Sequence, residues 1–401
     1  MRAQIGTLIL ATSGIQLANG FFGTFFSLRI ATADFGPSLS GLVLSSYFAG
    51  FILGAVCVER IIGKVGHIRA YAGCAGLVAA ATNAMPMLVG PLPWLIFRTF
   101  VGFGCAGLFV TTESWLNAKA DPLERGRVFS IYMVGTFLAL AAGQLLIGWT
   151  DIEAFTPFNA IAILFGAALI IVCMTRAEAP RVYLYEALPF RHLAGAVPLA
   201  ILGCVVSGLI SSVFYTLIPG WMQGEGIEQG MIGLIMLVAV LGGLAFQIPI
   251  GRLSDRFDRR SVLAAVGLGL TATAVSLLLL PHIWSVVLPV CILLGGFMST
   301  LYPICVAYAH DQMPADRVVG VSSRLILISG IGSVVGPFIG TSVMTFLDLD
   351  GILCLMAVAA FILGISAVSG LLATTAAPHL ARTFDVLTPQ ATAMAHDPTN
   401  I

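Results

Sequence analysis

The chain alternates long apolar runs with short polar breaks, and almost every run is long enough to cross a bilayer, which takes about 20 residues. The runs fall near 4–28, 39–61, 70–89, 93–117, 127–149 and 157–175, and again near 194–220, 230–250, 261–280, 284–309, 318–344 and 350–373. A polar stretch at 176–193 separates six runs from six, and a polar tail follows at 374–401. The pattern predicts an all-α integral membrane protein with twelve transmembrane helices in two six-helix bundles. The bundles span residues 1–175 and 194–373. Residues 176–193 form a cytoplasmic linker and 374–401 a disordered cytoplasmic tail. The first run continues well past signal-peptide length with only Arg2 before it, so it reads as the first helix.

Composition agrees: 58% of residues are hydrophobic and 9% charged, against about 25% charged in a soluble protein. A net charge of zero gives nucleic-acid binding no support. The eight cysteines are scattered through apolar runs (Cys57, Cys105, Cys173, Cys291) without a C-x-x-C pair, so they read as small buried residues. The six histidines lie at or near helix ends and in loops without ligand spacing, and no phosphate-binding G-x-x-x-x-G-K-[ST] loop occurs. The chain is therefore not expected to be an enzyme, to hold a metal or cofactor, or to run on ATP.

Charge is unevenly shared among the connections. The even-numbered ones carry Lys64, Arg69, Lys119, Arg125, Arg127, Arg176, Arg181, Arg191, Arg252, Arg256, Arg259, Arg260 and Arg317. The odd-numbered ones carry Asp34, Asp151, Glu153, Glu225, Glu228, Asp348 and Asp350, with Arg29 alone at the end of the first run. The positive-inside rule then places both termini in the cytoplasm and the protein in the cytoplasmic (inner) membrane.

The halves repeat. A shift of 192 residues maps Lys64 onto Arg256, Gly104 onto Gly296, Pro122 onto Pro314, Glu124 onto Asp316, Arg125 onto Arg317 and Gly148 onto Gly340. Gly251 to Arg260 reads G-R-L-S-D-R-F-D-R-R between two apolar runs. Its Gly lets two helices approach, and Asp255 can pair with a basic group or a helix terminus. The matching stretch Glu59 to Arg69 is a worn copy that keeps Lys64, Gly66 and Arg69 but has Gly63 in place of the Asp. In helix 4, Arg98-Thr-Phe-Val-Gly102-Phe-Gly104 combines an intramembrane cation with packing glycines. Helix 11 carries Gly332, Gly336, Pro337 and Gly340, whereas helix 5 has Gln144 where a Pro would stand.

These features resemble the major facilitator superfamily, in a bacterial subgroup of unassigned substrate. The G-x-L-x-D-R-x-x-R-R hairpin, the R-x-x-x-G-x-G run and the repeated halves carry the resemblance over about residues 4–373. It implies a monomeric secondary transporter working by alternating access. Its partners are a small-molecule substrate, the lipid bilayer and, as coupling ion, protons. The hairpin motif implies a gating role for Gly251, Asp255, Arg256, Arg317, Lys64 and Arg69. The helix 4 motif implies that Arg98 serves proton coupling or anion contact. The Gly/Pro motif of antiporters, absent from helix 5, weighs against a drug/proton antiporter.

In that superfamily helices 1, 4, 7 and 10 line the cavity. Here they offer Gln16, Asn19 and Phe26, then Arg98, then Ser211 and Tyr215, then Ser299 and Tyr302, with Pro303 interrupting helix 10. Flanking helices add Tyr47, Tyr132, Gln144 and Gln247. Each alone is more often glue between helices than a ligand contact. Of the charges inside spans, Arg98 and Arg324 lie about two turns from a surface and can snorkel, while Glu113 reads as a salt-bridge partner or a proton carrier. These three are the coupling candidates. Aromatic rings and amides with so little charge suit uptake of a neutral or weakly charged, partly planar solute such as a vitamin, riboflavin being one example. A proton-antiport exporter of drugs or metabolites, a passive facilitator and a non-transporting receptor are the alternatives.

Overall fold

In the computed structural model, residues 2–33, 35–119, 124–174, 196–281, 283–313 and 318–373 are described; the 176–193 linker, the 374–401 tail and Arg317 lie outside them. Among the described residues the chain forms twelve α-helices. The first six are α1 (Arg2–Ala31), α2 (Pro37–Val65), α3 (His67–Ala84), α4 (Pro91–Lys119), α5 (Arg125–Leu145) and α6 (Thr156–Cys173). The second six are α7 (Pro198–Gly224), α8 (Gln229–Arg256), α9 (Arg259–Leu279), α10 (Trp284–Gln312), α11 (Val318–Leu347) and α12 (Gly351–Ala373). All but α3 lie in stretches long and apolar enough to cross a membrane. The shorter α3 carries His67, Arg69, Thr82 and Asn83, and buries one face between α4 and α6.

Local chemistry sets the helix ends. Proline opens α2, α4 and α7, where its missing N–H costs nothing. Asp258 caps α9 by accepting from the Arg260 N–H at 2.9 Å. Gly66 turns α2 into α3 with φ of 82°, a left-handed conformation that glycine adopts without steric cost. Pro303 does not end α10, which runs on to Gln312.

The helices pair in the same way twice. In the first half α1 packs on α5 and α6, α2 on α4, and α3 on α4 and α6. Adding six to each number gives the packing of the second half: α7 on α11 and α12, α8 on α10, α9 on α10 and α12. The α2–α4 crossing is tight because Gly50 lies on the Thr99 carbonyl and Gly102 on that of Tyr47, leaving no room for a Cβ at either. Gly242 on Ile292 and Gly295 on Ala239 do the same for α8 and α10.

The halves meet through α1–α7, α2–α11 and α5–α8. Their close approaches gather at the end carrying Asp151, Glu153, Glu225, Glu228, Asp348 and Asp350, here termed the acidic end. Ser27 donates to the Thr216 carbonyl at 2.6 Å and accepts from the Gly220 N–H at 3.3 Å. The Gln229 amide, at the start of α8, donates to the Thr150 carbonyl at 2.6 Å and to that of Ile147. Gly41 sits against Thr341, and Gly233 against the Gln144 carbonyl. At the opposite, basic end, the ion pairs of the α8–α9 hairpin stay within the second half: Arg259 with Asp311 and Asp255, Arg260 with Asp258.

Candidate functional site

Between the halves, near mid-depth, lies a cavity of about 150 Å³. The first half lines it from α1 (Gln16, Asn19, Phe22, Thr24), α2 (Tyr47, Phe48, Phe51, Ile52), α4 (Arg98) and α5 (Thr136, Phe137, Gln144). The second half lines it from α7 (Ser211, Ser212, Tyr215, Thr216), α10 (Met298, Ser299) and α11 (Ser329, Ser333). The two walls differ. The first is aromatic, with three amides and one cation; the second is largely hydroxyl-bearing. Among the described residues that line the cavity, no carboxylate occurs.

Arg98 is the centre of the first wall. It is only 4% exposed, so it does not snorkel to the surface. Its guanidinium carbon lies 4.4 Å from the Phe26 ring centre, 4.7 Å from Tyr47 and 5.0 Å from Phe22. Cation–π attraction from three desolvated rings offsets part of the cost of burial, at about 2 kcal/mol each in favourable cases. It supplies no hydrogen-bond acceptor, and the buried Nε has no partner. The cage is held from behind: Phe26 packs on Trp94 at 5.3 Å, and Trp94 donates to the Met85 carbonyl at 2.9 Å. On the α5 side, Gln144 accepts from Thr24 at 2.6 Å. That bond fixes the amide's oxygen and leaves its nitrogen for a ligand.

Of the residues expected from sequence to bind substrate, the structure brings Gln16, Asn19, Tyr47, Arg98, Gln144, Ser211, Tyr215 and Ser299 onto one cavity. Four others lie off its lining. Phe26 shares the face of α1 that carries Gln16, Asn19 and Gly23, about 20° around the helix from Asn19, but packs on Arg98 instead of lining the cavity. Tyr132 turns to Glu113, donating at 3.3 Å. Tyr302 is buried, and Gln247 is buried in α8 with neither amide atom hydrogen-bonded. Of the coupling candidates, Glu113 is 1% exposed and Arg324 is half-buried on α11; neither lines the cavity. Of the gating residues, Gly251 is buried, Lys64, Arg69 and Arg256 are exposed, and Asp255 pairs with Arg259 at 3.5 Å.

Helix α4 reaches the cavity only through the length of Arg98, because the glycine crossing sets α4 behind α2. The neighbouring α2 therefore supplies Tyr47, Phe48, Phe51 and Ile52, of which sequence reasoning named only Tyr47. Ser329 and Ser333 were also missed, although two hydroxyls at i, i+4 on an apolar helix mark a polar face.

The family model described as Major Facilitator Superfamily matches residues 8–219 and 200–390. An uncharacterised MFS-type transporter of Enterobacter sp. (strain 638) is 30% identical over 344 residues, covering 82% of this chain and 85% of that protein. The uncharacterised MFS-type transporter YcaD of Escherichia coli O7:K1 (strain IAI39 / ExPEC) is 28% identical over 332 residues, with the same coverage. Among solved structures, the nucleoside transporter NupG superposes with a TM-score of 0.75 at 12% identity, over 91% of this chain and 98% of that one. A bacterial homologue of the human lysosomal transporter Spinster, inward-facing and occupied, gives 0.70 at 15% identity over 94% and 98%. At such identities these two likenesses concern the fold alone.

Proposed function

The chain belongs to the Major Facilitator Superfamily and is a multi-pass membrane transporter; from that premise we propose that it is a secondary transporter that takes up a small, partly planar organic solute by alternating access through the cavity between its halves. One observation carries this reading. A cavity walled by rings, amides and hydroxyls from both halves lies beneath a seam whose close contacts are at the acidic end. A solute held there touches both halves, so rocking one against the other changes its access without moving its partners far. With the basic end in the cytoplasm, as the positive-inside rule indicates, these contacts lie on the outer side of the cavity.

Rings stack on a planar body while amides and hydroxyls read its edge, and vitamin-like heterocycles fit that description. Protons are the coupling ion best served by Glu113, whose carboxylate accepts from Tyr132 in a buried site beside the transport path. A passive facilitator is the second reading, favoured by the lack of a carboxylate on the described lining.

Uptake of labelled heterocyclic solutes into cells expressing the chain, with and without an uncoupler, separates the two. Accumulation that collapses with the uncoupler supports proton-driven uptake. Equilibration indifferent to it supports the facilitator, and no uptake in either case removes both. Orientation is tested with Cys173, which is exposed, first replaced by Ser. A cysteine at Lys64 should react with an impermeant thiol reagent in inside-out vesicles and not in intact cells.

A further inference from the structure

We infer that the solute is a monoanion, a carboxylate carried on a planar ring, and that it bridges the halves by placing the carboxylate on Arg98 and a polar ring substituent on Ser211. The inference rests on the transporter reading and narrows its substrate class.

Two residues that carry an unsatisfied buried polar atom line the same cavity from opposite halves. Arg98 Nε is buried without a hydrogen-bond partner, and so is Ser211 Oγ. Buried polar groups left unpaired cost free energy and are rare in native structures, so each side chain gains a partner if a small rotation turns it toward a ligand in the cavity. What each demands is different. The guanidinium has N–H donors and no acceptor, its surrounding rings offer no lone pair, and no described carboxylate lines the cavity to neutralise it. It therefore selects a ligand that brings a negative charge and two oxygens in a plane, which a carboxylate does in fork geometry. A phosphate dianion is disfavoured because a single cation leaves half its charge uncompensated away from water. Phe22 and Tyr47, which flank Arg98, also line the cavity and leave room for a ring behind the carboxylate. The Ser211 hydroxyl both donates and accepts, so it fixes the far substituent without choosing its charge.

Matched acid and amide pairs test this: nicotinate with nicotinamide, and 4-aminobenzoate with 4-aminobenzamide. Each is supplied at neutral pH to the purified full chain in a thermal-shift assay and to proteoliposomes for uptake. In the wild-type chain the acid of at least one pair should bind and enter, with an apparent affinity about tenfold or more above its amide. Arg98→Gln should erase that preference, and Arg98→Lys should keep part of it while losing the fork; the unliganded melting curve of each variant reports whether it folds. Ser211→Ala should weaken acid and amide by the same factor. The inference is overturned if amides match their acids in the wild-type chain, if the preference survives in folded Arg98→Gln, if Ser211→Ala changes the acid-to-amide ratio, or if neither acid binds at millimolar concentration. Uptake of the amides, or of any neutral solute, in those cases leaves the transporter reading standing. Absence of uptake of every solute tried removes that reading as well.

Discussion

The two basic-end hairpins are copies of one backbone device, α2–α3 and α8–α9, and they are stabilised by opposite chemistry. In the second, Arg259 is buried. It reaches Asp311 on α10, Ser254 at 3.0 Å and Asp255 at 3.5 Å, while Arg260 ties Asp258 to the Gly370 carbonyl of α12 at 2.9 Å. The 192-residue register puts His67 at the place of Arg259, Gly63 at that of Asp255 and Lys119 at that of Asp311. His67 is equally buried, but its Nε2 meets only the Ser114 hydroxyl, at 3.0 Å, and its ring lies 5.9 Å from Trp115. The difference teaches that such a network persists or disappears as a unit. With both acids gone, an Arg at position 67 would be a buried charge without compensation, whereas a histidine fills the space in neutral form. The buried ion-pair network around Arg259 therefore has no copy around His67.

The sharpest break in this comparison is Asp311→Ala. It leaves the Arg259 guanidinium with only Asp255 at 3.5 Å and Ser254 and should cost up to about 3–5 kcal/mol, read as a large drop in the thermal midpoint of the purified protein. Lys119→Ala, its counterpart, should stay within about 0.5 kcal/mol. Next in size is His67→Arg, which imposes the lost charge on the neutral hairpin; a destabilisation above about 2 kcal/mol is expected. Adding Lys119→Asp should recover most of it, and no recovery in the double variant would mean that the two hairpins are not geometrically equivalent. Gly102→Val and Gly295→Val probe what the halves still share. Each should cost about 1–3 kcal/mol or more through overpacking of a crossing helix, and a large difference between them would break the equivalence of the α2–α4 and α8–α10 crossings. Two smaller effects concern transport. Asp255→Asn should slow uptake while ligand affinity stays within about tenfold, 1.4 kcal/mol. Glu113→Gln should leave binding and exchange intact but prevent accumulation against a gradient; unchanged accumulation would make Glu113 a structural partner of Tyr132.

The helices were legible because a membrane span leaves a long apolar run, and the paired halves because the register preserved residues such as Lys64/Arg256 and Gly104/Gly296. The site was legible where a polar side chain interrupts an apolar helix, as at Gln16, Asn19, Arg98 and Gln144. It was illegible where the lining is itself apolar: nothing in the sequence distinguishes Phe48 and Phe51, which face the cavity, from Phe158, which is packed against Phe25 at 4.9 Å. Tyr132 lies off the lining for the converse reason, since a polar group on a membrane helix also satisfies neighbours within its own bundle, here Glu113; the buried Gln247 has no such partner. The hairpin copy at Glu59 to Arg69 was correctly read as worn, but its His67–Ser114 replacement was not foreseen, because that pairing depends on how α3 packs against α4.

The acidic end is closed by neutral donors. Ser27 and Gln229 bond to main-chain groups of the opposite half, and each such bond contributes about 0.5–1.5 kcal/mol net, since water replaces it on opening. Uncharged bonds of this kind are nearly indifferent to ionic strength. The seal should therefore open at a similar rate in fresh and in salty surroundings, while the charged hairpin opposite responds to both. Of the two ends, the one on which Asp255, Arg259 and Asp311 stand is then the more sensitive to salt.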